Sequence, residues 1–183
     1  MNSVTLDSIS QRAVRPSWFA LFILSMAAAL NFAAPAPARA AEKSVVPFSG
    51  TVTGKVIGAP ASETDPFLYA VALAGSGPSS IGNVTAAGTH ITHADLGTIV
   101  NGSVAFRAPG GYLYGTYTGS EASTADPTVV LVSGTIVITG GTSTFRNASG
   151  TIPFTGSLKI TGISPTGVIT EDFRLDFHGS LRR

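Results

Sequence analysis

The side chains that could carry chemistry in this sequence begin with one carboxylate on an otherwise apolar strand face. Glu171 lies between Ile169 and Phe173, which alternation places on the same face of the last predicted strand. Inside a barrel this carboxyl would lose its hydration, its pKa would rise, and it would suit general acid or base catalysis. At a strand end it would reach water instead, and its position next to a turn favours this second interpretation.

Four tyrosines are the other polar groups that a reactive interior would use. Tyr112 and Tyr114 share one side of the fifth predicted strand, Tyr117 takes the other side, and Tyr69 lies on the second strand. Aromatic side chains on barrel strands more often pack than contact a substrate. Glu171 and the three tyrosines of the fifth strand are therefore catalytic candidates only if the barrel has a reactive interior.

His90 and His93 form the one histidine cluster in the sequence. A zinc ion would need both rings at about 2.0–2.1 Å. Residues three apart on a strand face opposite ways, and Asp95 is the nearest carboxylate. The pattern predicts two surface or strand-end histidines and no metal site.

Composition excludes several classes of function. The chain has no cysteine, so it forms no disulfide, thiolate metal site or cysteine nucleophile. It has no G-x-S-x-G elbow, phosphate loop or dinucleotide fingerprint, and no cofactor is expected. Only 11% of the residues are charged and the net charge is +1, which disfavours nucleic acid and anionic membranes as partners. Arg107 and Arg146 lie next to turns and are expected to be solvated.

Short strands must position these groups, because no stretch after residue 40 has a helical period. Alternation and turn residues predict eight strands, over residues 46–57, 67–75, 84–91, 98–107, 112–118, 129–139, 150–158 and 168–177. Hairpin-length links make neighbouring strands antiparallel. Eight such strands either close into a barrel or leave two exposed edges, and closure removes the edges. The pattern alone does not separate a barrel from a sandwich.

The stretch 133–158 is predicted to be two strands joined by an ordered, glycine-rich turn. Ile136 and Ile138 share the face that we expect to point into the core. Gly140 and Gly141 are expected to break the first strand by adopting positive φ. Phe145, the one large apolar residue of the turn, is expected to plug the core there.

The same turn carries a resemblance to a known family. It is similar to the Gly-Gly-Thr-Gly-Arg-Phe-x-Gly-Ala-x-Gly segment of the allene oxide cyclase and dirigent barrel superfamily, and more closely resembles the small secreted bacterial proteins with that barrel-like domain. Ser143, Thr144 and Asn147 depart from the pattern, and residues 75–85 and 106–119 resemble two further segments in the same order. The matching residues are Gly140, Gly141, Thr142, Phe145, Ala148 and Gly150.

The resemblance implies an eight-stranded antiparallel β-barrel of the allene oxide cyclase type. It also implies a chemistry, since the plant cyclase guides ring closure of an unstable epoxide and dirigent proteins orient radicals without performing the oxidation. Such chemistry needs mostly shape and a few polar groups. The plant relatives are oligomers, so a homo-oligomer is a further expectation.

Residues 1–40 are interpreted as a secretory signal peptide. A positively charged segment precedes the apolar run 18–34, and an A-x-A sequence ends at Ala40, so cleavage is expected after Ala40. The alternative is an uncleaved transmembrane anchor, although the run is short for a span. The first interpretation leaves residues 41–183 as a single β-barrel domain that is secreted or periplasmic and has no membrane contact after signal removal.

Two classes of function remain open for the predicted barrel. The first is a non-catalytic barrel that holds a small apolar ligand or has a structural role. The second, implied by the resemblance, is a cyclase or isomerase acting on a reactive apolar substrate. A cavity with a buried Glu171 and a tyrosine would favour the enzyme, and a filled or wholly apolar interior would favour binding or structure. A third interpretation, an outer-membrane barrel, fits the alternating strands and the signal peptide, but no aromatic girdle is evident.

Overall fold

The fold is that of a computed structural model, which describes residues 44–183. The signal peptide predicted over residues 1–40 and the cleavage site after Ala40 lie outside the described residues. Within residues 44–183, no helix has the length and apolar character needed to cross a membrane.

Eight antiparallel strands form a closed up-and-down barrel, in which each strand pairs with the next along the chain and the last pairs with the first. This confirms the prediction of an all-β, eight-stranded antiparallel β-barrel and decides against the sandwich. A single turn of 3₁₀ helix, η1 (Ser143–Phe145), is the helical element of residues 44–183. The strands are β1 (Val45–Pro60), β2 (Leu68–Gly77), β3 (Val84–His93), β4 (Thr98–Ala108), β5 (Gly111–Ser123), β6 (Val129–Gly141), β7 (Gly150–Ile163) and β8 (Ile169–Arg182).

Most strands are longer than the sequence predicts. β5 continues to Ser123, although the pattern predicts that this strand ends at residue 118. β8 continues to Arg182, well past the predicted end at residue 177. In a closed barrel every strand has a neighbour on both sides, so polar segments that alternation does not mark as strand still find backbone hydrogen-bond partners.

The pairing of β1 with β8 closes the barrel. Its antiparallel register covers nearly the whole of both strands. On the outer face of this seam, Lys55 forms an ion pair with Asp172, and Thr51 donates a hydrogen bond to Asp176. Because no strand is left without a neighbour, the sheet offers no free edge to another chain.

One end of the barrel is densely packed. This closed end is where the chain enters β1 and leaves β8, and it also holds the link 142–149. The Phe48 ring lies edge-on to Phe106, with centroids 5.4 Å apart, and 4.8 Å from the ring of Phe177. The least exposed large side chains all lie in this half of the barrel: Phe48, Val84, Leu113, Ile138, Phe145, Ile152 and Leu181.

The link 142–149 covers the closed end. Phe145 and Ala148 are each only 2% exposed, and Phe145 belongs to the core cluster. The guanidinium of Arg183 lies 5.8 Å from the centroid of the Phe145 ring, within range of a cation–π contact. Phe145 therefore plugs the core beside this link, as the sequence predicts.

The predicted strand break at Gly140 and Gly141 is wrong. Both residues belong to β6 and neither has positive φ, while Ser143, the first residue of η1, has φ of 51°. Gly141 has a different reason to lack a side chain. A Cβ at that position would meet the backbone oxygen of Tyr112 and would lie 2.8 Å from the Cβ of Phe145. Close approach of the link, rather than turn conformation, explains this glycine.

Gly134 in β6 is expected not to tolerate alanine. A Cβ there would lie 2.6 Å from Cζ of Phe154 and would overlap the backbone oxygen of Thr118. We expect Gly134→Ala to lower the free energy of unfolding by about 1–3 kcal/mol through overpacking. Gly140 in the same strand is the control, because a Cβ there meets nothing within 4 Å. Gly140→Ala should leave stability unchanged or raise it by up to about 1 kcal/mol. Urea unfolding gives the free energy of unfolding of both variants. An equal loss in the two would contradict the close contact of Gly134 with Phe154.

Candidate functional site

The other end of the barrel, which we call the open end, encloses a cavity of about 130 Å³. Gly58, Tyr69, Thr92 and Ala94 line its mouth, at the strand ends where the open-end links begin. Ala94 is exposed, so the mouth reaches solvent. The open-end links are residues 61–67, 94–97, 124–128 and 164–168. The deeper walls are aliphatic and aromatic: Val52, Val56, Val71, Leu73, Ala86, Ile99, Val104, Phe106, Val132, Ile136, Phe154, Leu158, Phe173, Leu175 and Phe177.

Two carboxylates, Glu121 of β5 and Glu171 of β8, line the cavity near its mouth. Burial raises the pKa of both, and the negative charge of Glu121 further raises the pKa of Glu171, which reaches about 7. Thr92 donates a hydrogen bond of 3.3 Å to Oε1 of Glu121, which opposes the rise in the pKa of that carboxyl. The titration of Glu171 therefore moves from the acidic range toward neutral pH.

Deeper in the cavity, His90 of β3 and Tyr117 of β5 share a hydrogen bond. The hydroxyl of Tyr117 lies 2.6 Å from Nδ1 of His90. The hydroxyl donates when the ring proton is on Nε2, and Nδ1–H donates in the other tautomer. Burial lowers the pKa of His90 to about 4 and raises the pKa of Tyr117. The pair is therefore neutral at physiological pH.

A β-bulge and a glycine let this hydrogen bond cross β4, which lies between β3 and β5. The pairing of β4 shifts register against both neighbours near Asn101, whose φ is 55°. Gly102 pairs directly with Tyr117, and a Cβ at Gly102 would lie 2.6 Å from Cγ of the tyrosine. The missing side chain leaves room for the ring to lie over β4 and reach His90.

The structure brings together only part of the predicted catalytic set. Glu171 and Tyr117 line the same cavity, and Tyr69 lines its mouth. Glu171 combines the two interpretations of the sequence, because it faces the interior near a strand end and is half-buried. Tyr112 and Tyr114 lie on the outer face of β5, with stacked rings whose centroids are 6.1 Å apart and whose planes differ by 7°.

The sequence pattern misses two residues of the cavity, His90 and Glu121. The prediction that His90 lies at the surface or at a strand end is wrong, since it is 9% exposed and lines the cavity. The signal for it is the inward face of β3, which runs from Val84 and Ala86 to His90. Glu121 continues the inward face of β5 beyond Tyr117, but it lies past residue 118, where the predicted strand ends.

The structure does not bring the two histidines of β3 together. His90 and His93 occupy opposite faces of β3, which agrees with the prediction from their spacing. Within residues 44–183, no three histidine, aspartate or glutamate side chains lie close enough together to hold a metal ion. A molecule in the cavity would meet the His90–Tyr117 pair, which can form hydrogen bonds, and Glu171, which can exchange a proton.

The fold and the cavity define the class of this protein as a closed eight-stranded β-barrel with an apolar cavity that opens at one end. No family model, curated protein or solved structure matches the chain. The resemblance to the allene oxide cyclase and dirigent superfamily therefore stays a prediction. Function has to be inferred from the cavity itself.

The raised pKa of Glu171 predicts a component of stability that is lost as pH rises. The folded chain holds this proton more tightly than the unfolded chain, whose carboxyl titrates near 4.5. The contribution of Glu171 to the free energy of unfolding is therefore fully present below about pH 4.5 and is lost as the pH rises through about 7. Water at the mouth screens this half-buried carboxyl, so we expect the free energy of unfolding to fall by only about 1–2 kcal/mol.

The measurement is the difference in unfolding free energy between the wild type and Glu171→Gln from pH 5 to pH 8. A difference is needed because the lowered pKa of His90 gives the opposite slope between about pH 4 and 6.5. Asp172→Asn, which changes the neighbouring carboxyl on the outer face, is the control and should keep the wild-type profile in this range. Parallel profiles for the wild type and Glu171→Gln would show that burial does not perturb Glu171.

Removing the hydroxyl of Tyr117 is expected to destabilise the fold, because it leaves Nδ1 of His90 without its partner. We expect Tyr117→Phe to lower the free energy of unfolding by about 1–3 kcal/mol. Tyr114→Phe removes a hydroxyl from the outer face of the same strand and should change stability by less than about 0.5 kcal/mol. Urea unfolding at pH 7 compares the two variants, and equal effects would argue against a buried hydrogen bond.

Proposed function

We propose that this chain is an exported β-barrel protein that holds a small, mainly apolar molecule in the cavity at its open end. The observation that carries the proposal is the contrast between the two ends. The closed end is filled by side chains such as Phe48 and Phe145, whereas the open end leaves about 130 Å³ unfilled. Protein interiors rarely contain voids larger than a water molecule, and an empty apolar cavity lowers stability. A bound ligand accounts for such a cavity.

The size of the cavity sets the size of the ligand. An apolar cavity of about 150 Å³ in another protein accepts benzene. The buried part of the ligand is therefore about one six-membered ring. This agrees with the general size of eight-stranded barrels, whose interiors are either filled by side chains or hold one small ligand. Any larger part of the molecule would extend through the mouth beside Tyr69 and Ala94.

The predicted signal peptide over residues 1–40 supports export. The outer face of the barrel supports a barrel outside the membrane rather than an outer-membrane barrel. Membrane barrels present an apolar band outward and a polar interior. Here the outward residues of β8 include Asp172, Arg174 and Asp176, all exposed, while Phe173 and Phe177 of the same strand are buried inside.

A second candidate function is an isomerase or cyclase acting on an apolar substrate in the same cavity. It is favoured by the presence of Glu171 and Tyr117 together, which a carrier of a wholly apolar ligand does not need. Glu171 would move a proton, since a pKa near 7 suits a general acid or base, and Tyr117 with His90 would orient a substrate oxygen. Turnover separates the candidates: an enzyme would convert its substrate and would lose that conversion in Glu171→Gln, whereas a carrier would release its ligand unchanged from both proteins.

The proposal is tested directly by comparing native and denaturing mass spectra of the protein purified from the exported fraction of its own host. A small molecule carried only under native conditions would support the proposal, and its mass would identify the compound. A bare protein that also fails to bind benzene would count against a ligand-holding role.

Filling the cavity should weaken ligand binding. Ala86 of β3 is 4% exposed and lines the cavity, and Ala87 takes the outer face of the same strand. Benzene is the probe. When it is titrated into the wild-type protein, we expect the NMR signals of the methyl groups of Val71 and Leu73 to shift. Ala86→Leu should weaken benzene binding at least about tenfold. The matched control Ala87→Leu should bind benzene as the wild type does, and equal weakening by both variants would contradict the site.

A further inference from the structure

The charged residues that line the cavity all carry the same sign. Glu121 and Glu171 lie near its mouth, and within residues 44–183 no lysine or arginine lines it. The two lysines of this part, Lys55 and Lys159, are exposed on outer faces of the barrel. Burial keeps His90 neutral. A ligand in the cavity therefore meets negative charge that no side chain of the cavity wall offsets.

Charge is also divided between the two ends of the barrel. The open-end links add exposed or half-buried carboxylates, at Glu63, Asp65, Asp95 and Asp126. Lys159 also lies at this end, where it pairs with the first residue of β6, and its charge offsets part of the charge of Asp126. The closed end carries exposed arginines instead: Arg107, Arg146, Arg182 and Arg183. Fields of this kind concentrate molecules of opposite charge at the entrance that they surround. The mouth of the cavity is therefore favourable to cations and unfavourable to anions.

A separate observation points to a molecule inside the cavity. His90 is about nine-tenths buried, and its Nδ1 is taken by Tyr117. Its other nitrogen, Nε2, makes no hydrogen bond within residues 44–183. Every fully buried side-chain nitrogen or oxygen in that part of the chain has a hydrogen-bond partner, so Nε2 is not fully buried. Because His90 lines the cavity, Nε2 faces open space there. It is a free hydrogen-bonding group on the wall of an apolar site.

We propose that the ligand is a small organic cation, an amine whose ring or short hydrocarbon body fills the cavity and whose ammonium group lies at the mouth between Glu121 and Glu171. The proposal rests on the proposed ligand-holding function and names the chemical class of its ligand. An ammonium donates hydrogen bonds to both carboxylates and removes the repulsion between them. A carboxylate ligand would add a third negative charge at the same place.

The test compares three probes of similar shape: benzylamine, benzyl alcohol and benzoate. NMR or calorimetric titration at pH 7.5 and low salt gives a dissociation constant for each with the full-length mature protein. We expect benzylamine to bind at least about tenfold more tightly than benzyl alcohol, and benzoate to bind more weakly than both. Equal affinity for benzylamine and benzyl alcohol would overturn the amine assignment and leave the ligand-holding function standing.

The variants identify the groups responsible. The double variant Glu121→Gln and Glu171→Gln should lose the preference for benzylamine and keep its affinity for benzyl alcohol, which also shows that the cavity is intact. Asp172→Asn removes a carboxylate from the outer face next to Glu171 and should keep the preference. A preference that survives the double variant would overturn the proposal. If none of the three probes binds and benzene does not bind either, the ligand-holding function itself fails.

Discussion

The pairing of β1 with β8 is the constraint on which the rest of the structure depends. It converts the alternation along each strand into an inside and an outside, so that Val56 of β1 and its partner Glu171 of β8 both line one enclosed space. Without this pairing Glu171 would lie on the edge strand of an open sheet, in water, and nothing would raise its pKa. Closure also gathers the links at two ends, which lets one end be packed while the other stays hollow.

The interior tolerates polar groups because each has a partner or some access to water. Tyr117 shares a hydrogen bond with Nδ1 of His90 across β4, and Thr92 donates one to Glu121. An unpaired buried polar group costs roughly 1–3 kcal/mol. The bulge in β4 and Gly102, which make the His90–Tyr117 bond possible, therefore support the stability of the fold while they shape the site.

Three features that lower stability coincide at the open end: an unfilled cavity, two neighbouring carboxylates, and a buried imidazole held neutral. The closed end has the opposite character, with Phe48, Phe106 and Phe177 in mutual ring contact and Phe145 sealing the core. A ligand site needs space and polar groups in positions where a core would be filled by apolar side chains. This difference between the two ends is why function is assigned to the open end.

Alternation along the chain determined the eight strands and most of their inward faces, since a strand sends successive side chains to opposite sides whatever it pairs with. It placed Glu171 on the otherwise apolar face of the last strand and Tyr117 on the opposite face from Tyr112 and Tyr114, without deciding that either residue lines a cavity. Only the tertiary structure decided that β1 closes on β8, that Glu121 belongs to a strand, and that His90 meets Tyr117. These outcomes depend on register and on a bulge between distant segments, and neither leaves a periodic mark in the sequence.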